Sequence, residues 1–259
     1  MPDVPTLELR GVSKSFGAVQ ALDHVAFTVE SGEVMALVGD NGAGKSTLVK
    51  GIAGIHAFDD GEVLFDGVPA SIHAPKDAAR RGVEVVYQDL ALCDNLDVVE
   101  NLYLGRELHG IGFRLKEPDM ERRAAATLAT LGVTTIRSIR QKVATLSGGQ
   151  RQSIAVARAA MWNSRVVILD EPTAALGVAQ TRLVLDLIKR LAQQGLAVVL
   201  ISHNLHDVFE VADRITVLWL GRNAGVYERR STTQQEIVAA ITGVRGNGAS
   251  DARQGGEPE

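Results

Sequence analysis

One cysteine, Cys93, among 259 residues excludes an internal disulfide and fits a reducing compartment. A lone thiol of this kind is read as a small core hydrophobe and is assigned no role. No stretch approaches the ~18 consecutive apolar residues of a membrane-spanning helix. The opening MPDVPTLELR has neither the basic nor the apolar segment of a secretion signal, so export is not expected. Basic charge is not in excess either: 27 Lys and Arg stand against 31 Asp and Glu, a net charge of −4. That balance argues against nucleic acid as the partner. Internal repeats are also missing. What is present is an ordinary globular composition, 46% hydrophobic and 22% charged, long enough for one large domain with a subdomain.

Along the chain, residues 6–12 and 25–29 read as strands, with turns at Asp23-His24 and Ser31-Gly32. Glu33–Val38 is an apolar strand running into a glycine-rich loop, and a helix begins at Thr47-Leu48-Val49 and stops near Gly54. Glu62–Phe65 with Asp66-Gly67 suggests half of a hairpin, and Glu84–Tyr87 another strand. From about Asp97 to Ala160 the pattern is helical. Val166–Leu169 and Ala197–Ile201 are short continuous apolar runs, as expected of parallel strands covered on both faces. Between them Leu183, Val184, Leu187, Ile188 and Leu191 keep helical spacing up to the stop signal Gly195. Strand, helix, strand in this order predicts an α/β fold with a parallel sheet and an inserted helical segment. Residues 243–259, polar and glycine-rich, are expected to form a mobile tail.

Three segments carry chemistry. Gly39-Asp40-Asn41-Gly42-Ala43-Gly44-Lys45-Ser46-Thr47 fits the phosphate-binding P-loop, with a strand before it and a helix after. Its glycines let backbone N–H groups turn towards phosphate oxygens, and the helix N-terminus adds its positive end. Lys45 supplies a charge to the β and γ phosphates and Ser46 a hydroxyl for Mg²⁺. The candidate nucleotide-binding residues are Gly39, Asn41, Gly42, Ala43, Gly44, Lys45, Ser46 and Thr47. Asp170-Glu171 ends an apolar strand, the Walker B arrangement: Asp170 would hold Mg²⁺ through water and Glu171 would act as general base. The competing reading is an acidic cap on a helix starting at Pro172. Leu146-Ser147-Gly148-Gly149-Gln150 has Ser147 as an N-cap and two glycines that leave N–H groups uncovered for an anion, a second phosphate site.

A P-loop, LSGGQ and strand-end Asp-Glu in this order resemble the ATP-binding cassette of ABC transporters. The resemblance covers residues 6–242 and implies one ATP-binding domain over residues 5–242. Its core would be a P-loop NTPase parallel sheet, with an N-terminal antiparallel β subdomain and a helical subdomain inserted at about 89–162. It implies further that Ser147, Gly148, Gly149 and Gln150 bind the γ-phosphate of ATP held by the opposite subunit. His203, after the strand Ala197–Ser202, would contact the γ-phosphate. Gln88 would sense Mg²⁺ and water and face a transmembrane partner. Phe16 falls where the family places an aromatic against adenine, though a core position on the first sheet is the other reading.

Asp170–Gln180 (DEPTAALGVAQ) and Ile201–Arg222 look especially like the ATPases of bacterial monosaccharide importers of the ribose, xylose and fructose group. Two departures stand out: Gly177 occupies the position where most ABC ATPases carry Asp, a glycine familiar in the sugar group and read as its mark, and the chain has one cassette where many of the sugar group have two. The resemblance implies an ATPase with ATP and Mg²⁺ as cofactors, peripheral on the cytoplasmic face of the membrane. Its expected partners are a second cassette, simplest as a homodimer, a separate permease and, indirectly, an extracytoplasmic sugar-binding protein. The alternative is a soluble ABC-type ATPase acting in translation or DNA repair.

Overall fold

The computed structural model describes residues 4–110, 112, 114–162 and 164–244. The tail expected over 243–259 therefore lies, beyond Val244, outside the described residues. The short valine- and isoleucine-rich runs are central strands. β3 (Val34–Gly39), β7 (Val166–Asp170) and β8 (Ala197–Ile201) run parallel in the middle of a six-stranded sheet. Its order is β10-β9-β3-β8-β7-β6, with β6 (Val83–Val86) at one edge. At the other edge β9 (Arg214–Trp219) is parallel to β3 and pairs antiparallel with β10 (Arg222–Glu228).

Strand alternation sorts the core into two sides. Val167, Leu169, Val198 and Leu200 face α3 (Val98–Tyr103), α4 (Glu117–Thr130), α5 (Gly148–Ala160) and α6 (Val178–Gln193). Val166, Ile168, Val199 and Ile201 face the opposite way, towards α1 (Lys45–Ile52) and a second, antiparallel sheet. That sheet has the order β2-β1-β4-β5, built from β1 (Leu7–Phe16), β2 (Val19–Val29), β4 (Asp60–Phe65) and β5 (Val68–Pro69). Leu7, Leu9, Leu22, Val25 and Phe27 of this sheet pack against Leu48 and Ile52 of α1, so the β subdomain clamps the helix that follows the P-loop. α2 (Pro75–Arg80), α7 (Leu205–Val211) and α8 (Gln234–Ile241) complete the described helices.

Several boundaries differ from the expectations. Asp23-His24 is not a turn: β2 runs through it, His24 takes φ 50°, and shifts in the β1–β2 register absorb the irregularity. α1 starts at Lys45 rather than Thr47, and Gly54 stops it at φ 73°. Tyr87 lies outside β6. No helix starts at Pro172; α6 begins at Val178, so Asp170-Glu171 does not cap one. The β9–β10 hairpin was not anticipated, because β10 alternates exposed and half-buried positions without a clear apolar face.

Candidate functional site

β3 delivers the chain to a loop that only glycine can form at two points. A Cβ on Gly39 would run into the Leu218 carbonyl of the neighbouring strand. One on Gly44 would meet the Ala21 carbonyl at 2.7 Å and Leu22 Cδ2 at 2.8 Å, with φ at 101°. The loop is thus pressed between β9 and β2 at these two points. Lys45 folds back over it, its Nζ donating to the carbonyls of Gly39 at 2.7 Å and Asp40 at 3.0 Å. Burial pulls the Lys45 pKa down, while the carboxylates of Glu171, Asp40 and Asp170 act to raise it. Asn41, Ala43, Ser46 and Thr47 share the same loop and first helical turn.

Asp170 ends β7, adjacent in register to Ile201 at the end of β8. Burial first, and the adjacent Glu171 second, push its pKa above the usual carboxylate value. Among the described residues its side chain has no hydrogen-bond or ion-pair partner. Such a desolvated, unpaired carboxylate fits a cation. No group of three or more His, Cys, Asp or Glu among the described residues could hold a metal alone. That donor set suits Mg²⁺, which keeps waters and phosphate oxygens in its shell and takes few protein ligands.

Glu171 sits at φ 51°, the left-handed region, held there by its N–H donating to the Ile201 carbonyl at 2.9 Å. The bend aims its carboxylate at His203, whose Nδ1 lies 2.8 Å from Glu171 Oε2. The glutamate is largely enclosed and the imidazole largely exposed. Behind them a buried hydrogen bond, Thr173 Oγ1 to Asp207 Oδ2 at 2.7 Å, ties the segment after Glu171 to α7 after His203. Neither Thr173 nor Asp207 was singled out from the sequence. Their partnership spans 34 residues and has no local signal.

Gln88 is exposed, two residues beyond β6, where Val86 pairs with Leu169 of β7; it therefore stands beside the strand end that carries Asp170. The next residues are anchored from an unexpected quarter. Arg158 of α5 donates to the carbonyls of Leu90 and Ala91, both at 3.0 Å. Burial lowers the Arg158 pKa, opposed by the nearby Glu84 carboxylate. One helix thus carries the LSGGQ segment at its start and holds the segment after Gln88 near its end.

At that start Ser147 caps Gln150 N, and Gln150 Oε1 accepts from Ser147 N at 2.9 Å. The Gln150 amide also donates to the Thr135 carbonyl at 2.6 Å. Gly148 faces Leu176, where a Cβ would approach Cδ2 at 3.2 Å, and Gly149 faces Gln180 at 2.9 Å. The segment therefore packs on 176–180, and among the described residues no hydrogen bond or ion pair joins it to the P-loop. Gly177 caps α6 with φ −74° and ψ 161°, and a Cβ there meets nothing within 4 Å. Phe16 is 50% exposed, so it is not a core residue. It packs edge-on against His56 at 5.5 Å with the Lys14 ammonium over its ring.

A glycine loop, a lysine and two strand-end carboxylates around one largely parallel sheet define a P-loop nucleotide-binding fold. The chain belongs to the ABC transporter family, whose profile matches residues 22–174. It is similar to the fructose import ATP-binding protein of Rhizobium meliloti, 48% identical over 251 residues, covering 95% of this chain and 96% of that protein. It is also similar to the xylose/arabinose import ATP-binding protein of Sulfolobus acidocaldarius, 45% identical over 236 residues, covering 91% and 93%. With a ribose import ATP-binding protein of Yersinia pestis the match is 42% identical and covers 94% of this chain but only 47% of that protein. Among solved structures, a cassette from Clostridium perfringens superposes with a TM-score of 0.77 at 24% identity, over 93% of this chain and 95% of that one. A dimeric ATP-binding cassette with ADP and phosphate gives 0.71 at 26% identity, over 87% and 100%. No helix among the described residues is long and apolar enough to cross a membrane.

Proposed function

We propose that this chain is the ATP-hydrolysing subunit of an importer that powers uptake of a monosaccharide through a separate membrane permease. The observation that supports it most is near-full-length similarity to fructose and xylose/arabinose import ATP-binding proteins, together with the paired Glu171 and His203 beside Asp170 and Lys45. On this reading Gly39, Asn41, Gly42, Ala43, Gly44, Lys45, Ser46 and Thr47 cradle the phosphates of ATP, and exposed Phe16 offers its ring to adenine. Ser46, Asp170 and Gln88 would hold Mg²⁺, which would supply positive charge to neutralise the phosphates. Glu171 takes the proton of the attacking water, and His203 orients the Glu171 carboxylate and reaches the γ-phosphate.

Ser147, Gly148, Gly149 and Gln150 serve the nucleotide of a second cassette. Their separation from the P-loop within one chain and the dimeric relative bound to ADP and phosphate both favour that reading. The dimer sits on the cytoplasmic face of the membrane beneath its permease, fed by an extracytoplasmic sugar-binding protein.

Steady-state MgATP turnover of Glu171→Gln tests the catalytic assignment. A loss of ~10²–10⁴-fold with ATP binding retained is expected, and undiminished turnover refutes the role of Glu171. Sugar uptake by cells lacking the chain tests the transport assignment: unchanged uptake of fructose, xylose and ribose removes it.

A further inference from the structure

Asp207 lies in the first turn of α7 and is 2% exposed, and among the described residues no cation pairs with it. Its side-chain partner there is the hydroxyl of Thr173, itself 9% exposed, with Oγ1 donating to Oδ2 at 2.7 Å. Burying a carboxylate against one neutral donor is a poor way to stabilise a fold. Apolar groups of the same shape in place of both partners would cost little or nothing. The pair is better explained by what it holds.

Thr173 lies two residues beyond Glu171, and Asp207 lies four beyond His203. The 2.8 Å contact between Glu171 and His203 therefore stands between two ties. On one side the Glu171 N–H donates to the Ile201 carbonyl at 2.9 Å, and on the other is the Thr173–Asp207 bond. The His203 side is stiffened locally: the Asn204 N–H donates to Ser202 Oγ at 3.0 Å, and the His206 N–H to Asn204 Oδ1 at 3.1 Å. The Glu171 side is strained. Glu171 at φ 51° and Ala175 at φ 59° hold left-handed backbone on either side of Thr173. Such residues persist only where the surroundings over-determine them. The turn bonds, Ala174 N–H to the Glu171 carbonyl at 3.1 Å and Leu176 N–H to the Thr173 carbonyl at 3.3 Å, stay within the segment and cannot orient it against α7. Thr173–Asp207 is the side-chain hydrogen bond that does.

We propose that Thr173 and Asp207 are positioning residues for ATP hydrolysis: their buried bond holds the bend at Glu171 so that its carboxylate meets His203. This rests on the reading of Glu171 as general base. The pair acts on the rate through Glu171 and not on nucleotide affinity, which belongs to the P-loop.

The test is steady-state MgATP turnover and ATP binding by the full chain. Thr173→Val alone strands a buried carboxylate and can unfold the protein. Thr173→Val combined with Asp207→Leu removes both polar groups together and should keep the unfolding midpoint close to that of the wild type. This double variant should lose turnover roughly ten- to hundredfold, as for a catalytic group misplaced by about 1 Å, with ATP affinity retained. Thr173→Ser keeps the hydroxyl and should retain most of the turnover. In the Glu171→Gln background the double substitution should lower the residual turnover no further, because the group it positions is gone. The proposal is overturned if the double variant turns over ATP at the wild-type rate, loses ATP affinity in step with turnover or fails to fold. An equal loss in the Glu171→Gln background, or from Thr173→Ser, also overturns it. Undiminished turnover in Glu171→Gln alone is a different result, which refutes the general base and the proposal with it.

Discussion

Glu171 holds a left-handed backbone at φ 51°, and that strain can be measured. For a residue with a Cβ this conformation costs about 1–2 kcal/mol, and glycine escapes it. Comparing Glu171→Gly with Glu171→Ala isolates the cost. Both remove the carboxylate, its bond to His203 and its repulsion of Asp170, so those effects cancel. Alanine keeps the strain. Glycine relieves it but gives the unfolded chain extra freedom worth about 0.4–1 kcal/mol. The difference leaves Glu171→Gly more stable than Glu171→Ala by about 1 kcal/mol, or ~2–4 °C in midpoint for a chain of this size. Urea denaturation of the nucleotide-free variants reads it directly, with equal m-values as the control for a common unfolded state. Both variants should be inactive if Glu171 is the general base. A glycine variant no more stable than the alanine variant would show that the strain is absent.

Asp170→Asn should stabilise the nucleotide-free protein at neutral pH. Burial and Glu171 raise the Asp170 pKa above its ordinary 3.8, so its favourable contribution is full below that value and is lost as pH climbs through the raised one. The advantage of Asn should therefore grow with pH above 3.8 and vanish below it, read from midpoints across a pH series; a pH-independent gap refutes it. Gly177→Asp should fold well and gain about 0.5–1 kcal/mol in chemical denaturation, because the site is open, φ is ordinary and α6 lacks a side-chain cap. A loss of stability there would contradict the open geometry. Arg140 bridges Asp97 at 3.0 Å, Glu117 at 2.8 Å and Glu121, knitting α3 to α4. Arg140→Ala should cost about 1 kcal/mol at low salt and less at high salt, since the network is half-exposed; an effect blind to salt would argue for packing instead.

What could be read from the residues alone were features written locally. The P-loop was legible because its glycines stand where backbones touch, as Gly39 against Leu218 and Gly44 against Ala21 make plain. β3, β7 and β8 were legible because strands buried on both faces must be continuously apolar. β10 was not, since an edge strand with alternating half-burial dilutes that signal. Phe16 could be read as core or surface until the strand pairing put it at the end of β1, beside the turn to β2. Thr173–Asp207 and Arg158 with Leu90 and Ala91 stayed hidden for another reason. They join residues 34 to 68 positions apart, and no spacing rule reaches that far.

Those hidden contacts bear on how the proposed halves of the site communicate. α5 is one continuous helix between the two candidate segments: its first turn presents Gly148 and Gly149, and Arg158 near its end donates to the carbonyls of Leu90 and Ala91, just after Gln88. Its start also rests on Leu176 and Gln180, beside Gly177. A displacement at Gln88 would, on the proposed reading, reach the LSGGQ segment through this helix. On the proposed reading, Gln88 faces both the metal and the permease, and the LSGGQ segment faces the other subunit's nucleotide. The missing carboxylate at Gly177 then removes one side-chain contact at the joint between cassettes, but not the mechanical link, because that link is Arg158. Replacing Arg158 with Lys, which can hold one of the two carbonyls but lacks the planar fork for both, should loosen the coupling between permease and ATPase more than it lowers turnover by the isolated cassette. Equal losses in both assays would place Arg158 in general folding instead.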